Sequence, residues 1–100
     1  MSDAVYTIPH IQAVLQPVFK AYHVKKAVLF GSYAKGRAVK NSDVDILVDS
    51  GLKGLSFFGL LEDVVTALDK NVDLLDTSQV IPDSPVDKEI ADSGVLIYGE

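Results

Sequence analysis

The stretch Leu29-Phe30-Gly31-Ser32-Tyr33-Ala34-Lys35-Gly36, followed by Asn41-Ser42-Asp43-Val44-Asp45-Ile46-Leu47-Val48, leaves a chain of this length few ways to fold. It reads as an apolar strand, a glycine turn, a connector and a second apolar strand. Side chains on a strand alternate between faces, so Asp43 and Asp45 share one face while Val44, Ile46 and Val48 share the other. The apolar face calls for a covered core. The acidic face carries two carboxylates about 7 Å apart, which repel unless something positive lies between them. A hard divalent cation such as Mg²⁺ suits such oxygen ligands, and Asp43 and Asp45 are read as metal ligands.

The first half of the stretch supplies what a metal-bound phosphate would also need. Gly31 can adopt backbone angles closed to other residues and lets a phosphate approach the main chain, and Ser32 adds a hydroxyl donor. A short helix from Tyr33 to Lys35 capped by Ser32 would offer free N–H groups to an anion. Lys35, Arg37 and Lys40 add cationic side chains to a chain whose formal net charge is −5. A metal clamp beside an anion cradle is the equipment of phosphoryl or nucleotidyl transfer.

The pattern Gly31-Ser32, Gly36, then Ser42-Asp43-x-Asp45 resembles the signature of the polymerase-β-like nucleotidyltransferase superfamily. Within it, Leu29 to Gly36 and the shortness of the chain resemble the minimal nucleotidyltransferase (MNT) family, antitoxins paired with HEPN-domain ribonuclease toxins. The similarity runs from the first helix to the last strand.

One hundred residues predict a single domain over 1–100, burying roughly 60 to 70% of its unfolded surface. With 48% hydrophobic and 23% charged residues the chain is globular and not disordered. The lack of cysteine rules out disulfides and thiolate metal sites and fits the cytoplasm. Ser2, Asp3 and Thr7 interrupt any signal peptide, and no apolar run is long enough for a membrane span. The acidic balance argues against stable nucleic-acid binding, although a local basic patch can still hold a nucleotide.

Taken in order, Thr7 to about Tyr22 reads as a helix, with Ile8, Ile11, Leu15, Val18, Phe19 and Tyr22 on one stripe and Thr7 as cap. Pro17 predicts a kink or break near Val14 to Gln16. His10 and His23 are read as surface residues. Lys26–Phe30 and Val44–Val48 are strands, with Asp49 assigned to turn chemistry. Ser56–Asp69 is a second long helix, with Phe57, Leu61, Val64, Val65 and Leu68 as its stripe and Phe58 in helix packing. Asn71–Asp76 is a third strand. Asp73 sits there in an apolar run, a costly place unless the charge is paired or bound to metal. Asp76 has the opposite parity and should face elsewhere. Ser84, Pro85 and Asp87 form a helix start, Gly94 closes that helix, and Val95–Tyr98 adds a last strand.

Helices alternating with short strands, with the three carboxylates on strands, give an α/β domain with a small mixed β-sheet backed by helices. The resemblance implies the same polymerase-β-like nucleotidyltransferase fold, and it matches Asp73 to the superfamily's third carboxylate. It implies two Mg²⁺ ions shared by Asp43 and Asp45, with Asp73 on the ion that activates the acceptor. Gly31 and Ser32 would hold the phosphates of a nucleoside triphosphate, and Lys35 or Arg37 would offset charge on the leaving pyrophosphate. It further implies AMP transfer from ATP to a tyrosine of a HEPN toxin encoded nearby. Two other readings stay open. One is a non-catalytic antitoxin that neutralises a partner by binding. The other is a small-molecule nucleotidyltransferase whose acceptor domain comes from a partner or from a second copy in a homo-oligomer. Against an inactive relic stands the presence of Gly31, Ser32, Asp43, Asp45 and Asp73 together.

Overall fold

The computed structural model describes residues 4–99. The reading of Ser2 and Asp3, and the ends of the 1–100 domain, lie outside these residues. Helix α1 (Ile8–Ala21) is capped as expected, the His10 N–H donating to Thr7 Oγ1 at 3.2 Å. It seals Ile11, Leu15 and Phe19. Of the kink or break expected near Val14 to Gln16, no break occurs. Pro17 and Ala13, whose carbonyl Pro17 cannot serve, are both exposed, so water can take that acceptor and the helix runs on. His10 and His23 are exposed, as expected.

Strand β1 (Lys26–Phe30) leads directly into a short helix α2 (Gly31–Ala34), and β2 (Val44–Asp49) follows an exposed loop. Helix α3 (Leu55–Leu68) starts one residue earlier than expected, with Gly54 and not a side chain at its cap. Its buried line is Leu60, Val64 and Leu68, with Phe57, Leu61 and Val65 at the margins, because the helix is rotated slightly from the expected stripe. Phe58, expected in helix packing, is exposed. Strand β3 (Val72–Asp76), a single 3-10 turn (Thr77–Gln79), helix α4 (Pro85–Ser93) and strand β4 (Val95–Gly99) complete the chain. Ser84 caps α4 through the Asp87 N–H at 3.2 Å, and the Asp87 carboxylate reaches back to the Asp83 N–H at 2.8 Å. Gly94 ends α4 as expected, its N–H donating to the Ile90 carbonyl at 2.9 Å.

The strands form one mixed sheet in the order β3-β2-β1-β4. β1 is antiparallel to both β2 and β4, while β2 and β3 are parallel and joined through α3. Alternation places Ala27, Leu29, Val44, Ile46, Val48, Leu74 and Ile97 in one buried cluster with the inner faces of α1 and α3. The opposite face is only partly covered. There Lys26, Val28, Leu47 and Asp49 line a groove of ≈ 210 Å³ with Thr77 and with Ile90 from α4. Among the described residues no helix is long and apolar enough to cross a membrane.

Candidate functional site

The carboxylates gather where β2 begins, beside the end of β1. Asp45 is half-buried on β2, and the parallel register sets it directly beside Asp73 on β3. The register also pairs Asp45 with Phe30, the residue before Gly31. The backbone of Gly31 therefore closes over the Asp45 carboxylate, and a β-carbon at residue 31 would overlap it. Gly31 has a φ of +72°, which glycine adopts without strain.

Asp43 lies one residue before β2 rather than on it, and is exposed. Asp73 is on a strand, as expected, but it too is exposed, since β3 is an edge strand with a neighbour on one side only. The burial argument for Asp73 therefore fails, while its place beside Asp45 stands. Asp45 is the carboxylate under stress. Burial first, then a hydrogen bond shared with Asp73, then the charges of Asp73, Asp43 and Glu89 push its carboxyl up to about 6. Like charges crowded at a half-buried point are the condition a divalent cation relieves. Among the described residues, no three histidine, cysteine, aspartate or glutamate side chains stand together closely enough to hold a metal ion as they are placed.

Ser32 sits inside α2 and does not cap it; the cap position belongs to Phe30. Lys35 ends α2 and turns toward α4, its Nζ lying 3.7 Å from Glu89 Oε1. Arg37 is exposed, its N–H donating to the Ser32 carbonyl at 2.9 Å. Glu89 is the residue that sequence reading missed. It lies on a helix that reads as structural, and only the packing of α4 near α2 brings it to Asp45 and Lys35.

Asp76 is the second surprise. Its opposite parity to Asp73 holds, and it turns to the covered side, where it is 5% exposed. Oδ1 accepts from the Ser50 N–H and hydroxyl at 3.1 and 2.6 Å, and Oδ2 from those of Ser78 at 3.0 and 2.7 Å. Burial alone would raise its pKa; the four hydrogen bonds outweigh burial and lower it to about 2. This is a structural knot tying the end of β3 to the end of β2. Asp49, assigned to a turn, extends β2 by one residue and accepts the Lys25 N–H through its carbonyl at 2.9 Å.

Residues 13–100 match the family model described as Polymerase beta, Nucleotidyltransferase. A Methanocaldococcus jannaschii protein called "Putative protein adenylyltransferase" is 35% identical over 78 residues, covering 75% of this chain and 83% of its own. Among solved structures, a toxin–antitoxin crystal structure with AMP-PNP is similar at a TM-score of 0.74 and 26% identity, over 89% of this chain and 73% of that one. The complex of a tri-AMPylated Shewanella oneidensis HEPN toxin with an MNT antitoxin matches at a TM-score of 0.69 and 22% identity, over 94% and 74%, a likeness of fold alone.

Proposed function

This chain belongs to the polymerase β nucleotidyltransferase family, and from that premise we propose that it is an antitoxin that transfers AMP from ATP to a tyrosine of a HEPN ribonuclease toxin. The observation that carries the reading is the convergence of Gly31, Asp45 and Asp73 at one end of the sheet. The relatives support the donor and a toxin partner: one is named as a protein adenylyltransferase, and one is a toxin–antitoxin crystal with an ATP analogue.

In this reading Asp43, Asp45 and Asp73 would hold Mg²⁺, which when bound neutralises phosphate charge and lowers the pKa of the acceptor hydroxyl. The donor set fits, since all three groups are carboxylates and Asp45 is crowded by the other two. In the same reading the Gly31 backbone and the Ser32 hydroxyl would hold the β- and γ-phosphates. The acceptor oxygen attacks the α-phosphorus, the bond to the bridging oxygen breaks, and pyrophosphate leaves. Asp73, exposed on the edge strand beside Asp45, takes the proton of the incoming hydroxyl. Lys35 offsets charge on the departing pyrophosphate once it swings from Glu89; both side chains are about a third exposed, so the pair holds it weakly. The net charge of −5 favours a protein acceptor over a bound nucleic acid, and we place the reaction in the cytoplasm.

The test is intact-mass spectrometry of the adjacently encoded protein after incubation with this chain, Mg²⁺ and each nucleoside triphosphate in turn. A gain of one or more AMP units with ATP, absent with Asp43→Asn, supports the reading. A stable complex without any mass gain would replace it with neutralisation by binding.

A further inference from the structure

The loop between α2 and β2 carries Lys35, Arg37, Lys40 and Asp43, and it is largely exposed. Ser42 closes it locally, its Oγ accepting from the Val39 N–H at 2.9 Å and its N–H donating to the Val39 carbonyl at 2.9 Å. Such a turn fixes its own shape but not its place on the domain. Two bonds from the α3–β3 junction do that. The Val44 N–H donates to the Asn71 carbonyl at 3.1 Å, and Lys70 Nζ donates to the Lys40 carbonyl at 3.2 Å, from 30 residues away.

Lys70 is 3% exposed. Lysine is among the residues least often buried, since its ammonium loses water that protein acceptors must replace. Here Nζ also lies 5.4 Å from the centroid of the Tyr6 ring, within reach of a cation–π attraction, and Tyr6 is itself held by its hydroxyl donating to the Leu68 carbonyl at 2.6 Å. The segment before α1, the end of α3 and the loop before β2 thus meet around one ammonium. The bond to the Lys40 carbonyl links this buried ammonium to the loop that carries Asp43.

We propose that Lys70 is a positioning residue for nucleotidyl transfer: by pinning the Lys40 carbonyl it sets where Asp43, three residues on, enters the acidic site. The inference rests on the transfer reading above. Lys70 adds to the Val44–Asn71 bond a second tether on the segment that carries the exposed Asp43.

Lys70→Met keeps the stem and removes the donor, while Lys70→Arg keeps a donor. Hydrogen exchange of peptides covering residues 36–44 reads the tether, and steady-state AMP transfer reads its use. Lys70→Met is expected to melt close to the wild type, to exchange faster in 36–44 but not in β1, and to lose about 10-fold in kcat with a smaller change in the KM for ATP. Lys70→Arg is expected to recover most of the rate. Unchanged loop exchange overturns the inference, as does faster exchange with wild-type kcat. A Lys70→Met chain that does not fold, or that loses rate only in step with its folded fraction, also overturns it by making Lys70 a packing residue. A wild type that transfers nothing with any nucleotide is a different result: it removes the transfer reading, and this inference falls with it.

Discussion

The main chain of Gly31 lies against the carboxylate of Asp45, leaving no room for a β-carbon between them. Gly36 has nearly the same backbone angle, φ +70° against +72°, yet among the described residues nothing beyond its chain neighbours lies within 4 Å of where its β-carbon would be. The two positions separate strain from contact. Gly31→Ala is expected to displace Asp45 and lower the transfer rate about 100-fold. Gly36→Ala is expected to cost about 1 kcal/mol of stability while the folded protein keeps its rate. Transfer assays with thermal melts on both variants check this, and equal rates would refute the contact.

Asp45 should make the metal-free protein respond to pH in an unusual direction. Its carboxyl is raised from 3.8 to about 6, first by burial and then by its acidic neighbours. A group raised in the folded state favours folding when protonated, so its contribution grows as pH falls from 7 through about 6 and is complete below 3.8. Asp45→Asn is expected to raise the melting temperature in EDTA at pH 7, to flatten this dependence and to abolish transfer. Mg²⁺ should stabilise the wild type more than the variant. Retained transfer, or equal Mg²⁺ shifts, would remove Asp45 from the site.

Asp76 acts with the opposite sign. With a folded pKa of about 2 it contributes stability that is fully present above 3.8 and is lost as pH falls through 2. That contribution is about 2 kcal/mol at neutral pH. Asp76→Ala should lose at least this much, since it also strips the partners from Ser50 and Ser78. Urea titrations of both proteins should show the gap narrowing between pH 4 and pH 2. A gap that holds constant would mean that the charge is not what stabilises the knot.

Tyr33 is 3% exposed, and its hydroxyl has no hydrogen-bond partner among the described residues. Tyr33→Phe is expected to raise stability by about 1 kcal/mol with no change in transfer rate. Chemical denaturation and the mass assay decide it. A lost rate would show that the hydroxyl serves the nucleotide beside Ser32.

The elements were legible because each is written in local spacing. Ile11, Leu15 and Phe19 recur at helical intervals, Val44, Ile46 and Val48 alternate, and Thr7 and Ser84 sit where helix N–H groups need an acceptor. The misreadings share a cause as well. Pro17 does not break α1, since it and Ala13 lie on the exposed side of the helix, which depends on where α1 lies. Ser32 falls inside α2 because the turn starts at Gly31, against Asp45. Asp73 is exposed because β3 takes the edge of the sheet, a matter of strand order that no window of residues contains.

The residue types of the site, and the face of β2 that carries them, follow from the chain alone, since strand alternation is a property of the backbone. Which carboxylate stands beside which does not. Asp45 meets Asp73 only because β2 and β3 pair in parallel across α3, and a slip of one residue in that register would turn Asp73 to the other face. Glu89 reaches Lys35, and Lys70 the Lys40 carbonyl, the same way, through the docking of α4 and the closing of the α3–β3 junction on the loop before β2. Contacts between residues thirty or more apart depend on burying the Leu29, Ile46 and Leu74 face beneath α1 and α3, an energy that exists only once the whole sheet has formed.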